Sequence, residues 1–70
     1  MSEQKFIQSM AELMDTEAAI DMDTVLAEVE EWDSLSKVAF MAMAAGASEK
    51  KVSYEDVKNA IKIRDLYGLI

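Results

Sequence analysis

The chain has 70 residues, enough for one domain with a small core, since a chain of this size buries only about 60–65% of its unfolded surface. Fourteen acidic against seven basic side chains give a formal charge of −7, which repels phosphate backbones and anionic lipid and excludes nucleic acid and membrane surfaces as expected partners. Cysteine and histidine are both absent, so no disulfide or thiolate zinc site can form, and the commonest proton shuttle and the strongest side-chain nucleophile are missing.

Hydrophobic content of 51%, no proline and two glycines favour an all-α chain of helices joined by short links. From Ser2 to about Met14, Phe6, Ile7, Met10, Ala11, Leu13 and Met14 form one helical stripe, with Glu3, Gln4, Gln8 and Glu12 away from it and Ser2 as the cap. Residues 15–33 are less regular. Asp15, Asp21 and Asp23 punctuate them, and Ile20, Met22, Val25, Leu26, Val29 and Trp32 pin the stretch to the core. A helical turn over about Thr24 to Glu30, capped by Asp23, is expected within it. Asp21-Met22-Asp23 begins like a calcium loop but lacks the glycine and the later oxygen ligands, so calcium is not expected.

A second helix is expected from Ser34 or Leu35 to about Ala45, ending at Gly46. After Lys37 no charge appears until Glu49, so this helix is apolar all round. At about 100° per residue, Leu35, Val38, Ala39 and Ala42 share one side, and Phe40 and Ala44 the other. Full enclosure is hard in so short a chain, so part of the helix should be exposed to partners. Its ten residues Val38 to Ala47 are too few to span a bilayer. Ala47 to Lys51 reads as a loop tucked in by Val52. Ser53-Tyr54-Glu55-Asp56 is a capping-box pattern that opens a short third helix to about Ala60, with Val57, Ala60 and Ile61 inward. A last helix begins near Ile63 and turns Ile63, Leu66, Tyr67 and Ile70 to the core. Met1-Ser2-Glu3-Gln4 does not read as a signal peptide, and a cytoplasmic protein is expected.

The chain is organised around Glu30-Glu31-Trp32-Asp33-Ser34-Leu35-Ser36, an acidic run that ends on a serine at the mouth of the apolar helix. Unmodified, Ser34 reads as a helix cap. Modified, it sits where helix N–H groups and the helix dipole favour an added phosphate.

Asp33-Ser34-Leu35 followed by Val38 resembles the attachment motif of acyl carrier proteins. Val52-Ser53-Tyr54-Glu55-Asp56 is similar to that family's Ile-Pro-Asp-Glu-Asp-like turn, and Ile63-Arg64-Asp65-Leu66 to the Val-x-Asp-Ala opening its last helix. The Trp32 form of the motif looks like freestanding carriers outside general fatty-acid synthesis. The resemblance covers most of the chain. It implies a four-helix bundle of acyl-carrier type with a long first loop and a short third helix. It also implies a 4'-phosphopantetheine arm on Ser34, donated by coenzyme A through a phosphopantetheinyl transferase. The arm's thiol would carry acyl or aminoacyl groups between a loading enzyme and downstream acyl-transfer enzymes, and a monomer is expected. Asp33 would orient the motif, Leu35 and Val38 would lie beside the arm, and Glu30, Glu31, Val38 and Ala42 would meet partners. The lack of cysteine suits that role, because no second thiol competes for the cargo.

The chain departs from the family pattern in three respects. Ala39, Ala45 and Gly46 stand where fatty-acid carriers have docking glutamates, Ser48 replaces an aromatic, and Lys62 replaces a capping threonine. Acid is concentrated instead at Glu28, Glu30, Glu31 and Asp33, which favours partners with basic patches and association that weakens with salt. Trp32 reads as a staple of the loop to the core, and the six methionines as core filler or as the lining of an acyl cleft. The alternative is a small acidic helical adaptor that binds a partner through helix two without modification. An enzyme is the class least expected, since only carboxylates and hydroxyls are available for chemistry.

Overall fold

A computed structural model describes residues 1–47 and 51–70. Among the described residues four α-helices, α1 (Glu3–Met14), α2 (Ser34–Ala47), α3 (Tyr54–Asn59) and α4 (Ile63–Tyr67), surround one apolar core, and a 3-10 turn (Leu26–Glu28) interrupts the long first connection. Among the described residues there is no strand beyond one isolated bridge between Val25 and Lys62. Among the described residues no helix is long and apolar enough to cross a membrane.

The first helix follows its stripe. Ser2 accepts a hydrogen bond from the Lys5 N–H at 3.2 Å, and Phe6, Met10 and Met14, four residues apart, are buried. The helix stops at Asp15, which adopts the left-handed conformation (φ 52°, ψ 43°) that a short polar side chain tolerates. Phe6 is the hub of the core. Its ring meets Phe40 edge-on (centroids 6.2 Å apart) and Tyr67 at 5.1 Å, so one residue joins α1, α2 and α4.

The first connection is anchored by buried Met22, Leu26 and Val29. Its helical turn is shorter than the residues suggest, and Asp23 does not cap it. The backbone of Met22, Thr24 and Leu26 is already committed elsewhere: the N–H of Arg64 donates to Met22, that of Ile63 to Thr24, and that of Leu26 to Ile61. The Thr24 carbonyl, which an α-helix starting there would offer to the Glu28 N–H, accepts from Ile63 instead, and the Glu28 N–H closes a tighter 3-10 bond to Val25. The Asp23 carboxylate instead meets the Arg64 guanidinium at 3.2 Å on the surface.

Helix α2 runs through Gly46 to Ala47, beyond the expected stop. Glycine ends a helix by taking a positive φ, and neither glycine of the chain does so. Ser36, Phe40 and Ala44 form its buried side, while Leu35, Val38, Ala39 and Ala42 face solvent, as their spacing predicts. Residues 48–50 of the expected loop, including Ser48, lie outside the described residues, while Val52 is half-buried against the core.

The short α3 is capped by Ser53, which accepts from the Asp56 N–H at 3.1 Å. Val57 is fully buried beneath it and Ala60 packs at the core edge, but Ile61 is 64% exposed rather than inward. The reason is a break in helical phase. Ala60 is extended (φ −65°, ψ 136°), so Ile61 no longer continues the inner face of α3. The Lys62 side chain has no acceptor to offer α4, and Asp65 from within the first turn takes the N–H groups of Ile61 and Lys62 at 3.1 and 2.9 Å. Ile63 and Leu66 are fully buried, with Tyr67 and Ile70 packed beside them.

Candidate functional site

The segment ahead of α2 is built by local bonds. The Trp32 N–H donates to the Val29 carbonyl and the Asp33 N–H to the Glu31 carbonyl, each at 3.0 Å, so the chain turns tightly into the helix. The Trp32 indole is half-buried and packs at 72° to the Phe40 ring, centroids 6.5 Å apart, which fastens this turn to the core.

Asp33, rather than Ser34, caps α2. Its Oδ1 accepts from the Ser36 N–H at 2.9 Å and its carbonyl from the Lys37 N–H at 3.0 Å. The bond from Ser36 holds the Asp33 carboxyl below its ordinary value, with its own and the Leu35 backbone N–H groups adding to the effect. Asp33 therefore stays ionised at the positive end of the helix.

Relieved of capping, Ser34 is exposed as the first residue of α2, and its hydroxyl makes no hydrogen bond to another described residue. The second serine of this stretch behaves in the opposite way. Ser36 is 7% exposed, and its Oγ donates to the Glu31 carbonyl at 2.5 Å. Of the two serines, only Ser34 is open to solvent.

Beside Ser34 the helix offers an apolar surface. Leu35 is 80% and Val38 58% exposed, and Ala39, Ala42, Ala45 and Gly46 continue the face without a charge. Glu30 and Glu31 belong to a different feature. With Glu28 they line an open groove of about 390 Å³ floored by Ile20 and Val29 and walled by Ala18, Ala19 and Thr24. The groove's three carboxylates form no ion pair with a described residue and suit a cationic group. Asp33, Ser34, Leu35, Val38 and Ala42 thus share the mouth and outer face of α2, with the two glutamates set on the approach to it.

A second shallow cleft, about 350 Å³, lies between α1 and α2 and is lined by Ser9, Glu12, Leu13 and Met43. Only one methionine contributes to it, because Met10, Met14 and Met22 are in the core. Periodicity misses the buried, bonded side chain of Ser36, which reads as an incidental hydroxyl on an apolar helix. Its signal was the three-residue spacing from Asp33, which puts the Ser36 N–H over the capping carboxylate. No protein-family model, curated protein or solved structure matches the chain, so a functional reading rests on this geometry.

Proposed function

We propose that this chain is an acyl carrier protein of the freestanding type, folded as a carrier-type four-helix bundle and modified on Ser34 with 4'-phosphopantetheine. The observation that carries the reading is the exposed Ser34 hydroxyl at the first turn of a helix whose capping is done by Asp33. A phosphodiester there would lie against the positive end of α2, where backbone N–H groups favour an anion.

In the modification, Ser34 Oγ forms a bond to the phosphorus of the coenzyme A diphosphate that bears the pantetheine. The phosphoanhydride P–O bond breaks, adenosine 3',5'-bisphosphate leaves, and the serine proton passes to a base. That base belongs to the transferase. The chain has no histidine, and the Asp33 carboxylate is held acidic by the Ser36 N–H. The arm supplies a thiol that holds acyl or aminoacyl groups as thioesters at high effective concentration for successive enzymes. Leu35, Val38 and Ala42 then offer partner enzymes an apolar footing, and Glu30 and Glu31 a cation-attracting approach.

A second reading draws on the same exposed helix face, which would also serve a small adaptor that is never modified. Incubating the folded chain with coenzyme A and a broad-specificity phosphopantetheinyl transferase, then weighing it, separates the two. A gain of one phosphopantetheine that disappears in Ser34→Ala supports the carrier; no gain supports the adaptor.

A further inference from the structure

We infer that Ser36 is the positioning residue for the Ser34 hydroxyl, a role that rests on the carrier reading and extends it to a residue outside the attachment motif. Ser36 is the only buried polar residue among those described. A buried hydroxyl is unfavourable unless it is bonded, and alanine suits a helix better than serine. Alanine recurs further along α2, at positions 39, 42, 44, 45 and 47. A serine here therefore answers to something besides helix formation.

What it answers to is the turn ahead of the helix. Ser36 Oγ holds the Glu31 carbonyl, its N–H holds the Asp33 carboxylate, and the Asp33 N–H returns to the same Glu31 carbonyl. Glu31, Asp33 and Ser36 close a ring of three hydrogen bonds, and Ser34 lies between Asp33 and Ser36 in the segment that the ring spans. The ring fixes the direction in which the chain enters α2 and hence where Ser34 Oγ points. Without the Ser36 hydroxyl, Glu31 O loses its link to the helix, and the turn keeps only the Asp33 cap, its local backbone bonds and the Trp32 packing.

The test compares wild type, Ser36→Ala and Ser36→Thr as phosphopantetheinyl transferase substrates at a temperature where circular dichroism shows all three folded. Ser36→Ala should lower kcat roughly tenfold, short of the ~100-fold that a displacement of about 1 Å can cost, with KM changed less than about twofold. Ser36→Thr, which keeps a hydroxyl on Cβ, should recover most of the rate. Amide exchange supplies the independent readout, with the Trp32 and Asp33 amides exchanging faster in Ser36→Ala and near wild type in Ser36→Thr. Wild-type kcat in Ser36→Ala, or unchanged exchange at those two amides, overturns the assignment and leaves the carrier reading intact. A wild-type chain that gains no mass overturns the carrier reading and, with it, any positioning of Ser34 for transfer.

Discussion

The N–H of Leu26 donates to the carbonyl of Ile61 at 2.8 Å, across 35 residues of chain, and the Ile63 and Arg64 N–H groups return to Thr24 and Met22 at 3.1 and 2.8 Å. These bonds tie the first connection to the start of α4 in the manner of a short ladder, with Leu26 buried beneath it. The amides of Leu26, Ile63 and Arg64 should therefore exchange as slowly as helix amides, through global unfolding. Leu26→Ala should cost about 2–5 kcal/mol and expose all three together. Exchange spectra that show these amides opening independently of the core would contradict the ladder.

Asp33 and Ser34 are adjacent but should separate cleanly on mutation. Asp33→Ala removes the α2 cap and should lower the melting temperature by roughly 5 °C, the scale of one helix cap in a chain this small. Ser34→Ala removes an exposed hydroxyl without a partner among the described residues and should move it by less than about 2 °C, while abolishing attachment of the arm. Thermal melts of the two variants decide the matter, and the reverse ranking would return the capping role to Ser34.

Stability should depend on pH in a sense set by two carboxyls. Hydrogen bonds from Ser36 lower Asp33, and those from Lys62 and Ile61 lower Asp65, below the ordinary 3.8. A carboxyl that is more acidic folded than unfolded stabilises fully above its unfolded value and loses that contribution as pH falls through the folded one. Between neutrality and the isoelectric point near 4.3, falling pH also relieves the repulsion behind the charge of −7. Stability should thus rise on mild acidification and fall below about pH 4. Asp33→Asn and Asp65→Asn should each flatten that acid limb in melts recorded against pH, and an unaltered limb would show that these bonds are not what acid breaks.

The two sides of α2 should respond oppositely. Phe40→Ala removes a fully buried ring and should cost about 3–5 kcal/mol, much of the roughly 4–10 kcal/mol available to a chain this size. Leu35→Ala and Val38→Ala should cost less than about 0.5 kcal/mol each, because both side chains are already in water. Their effect should fall on the transferase reaction, as a raised KM. Denaturant melts beside transferase kinetics test both halves, and a large stability loss in Leu35→Ala would place that residue in the core.

Where apolar spacing alone decides structure, the fold is readable from the residues. Phe6, Met10 and Met14 announce α1, and the division of α2 between Phe40 and Leu35 follows from counting around a helix. What spacing cannot show is backbone pairing between distant segments. Ile61 continues the inner face of α3 on paper, yet the extended Ala60 and the bonds to Leu26 and Asp65 turn it outward. The same pairing, at Thr24 and its neighbours, shortens the turn at Leu26–Glu28. Helix stops are hidden for another reason: Gly46 permits a left-handed end without requiring it, while Asp15 adopts one. At the site, Ser34 stands out through its motif. Ser36 does not, because a buried hydroxyl and an exposed one are spelled alike.

The ten residues from Val38 to Ala47 carry no charge, whereas Glu28, Glu30, Glu31 and Asp33 crowd the approach to the helix. Any protein that settles on this helix therefore meets two forces of different range. Long-range attraction sets how often encounters succeed, and added salt slows it. Once contact is made, the uncharged surface governs residence, and ions hardly touch it. Arrival and departure are thereby under separate control, which lets such a partner be recruited quickly and still be let go.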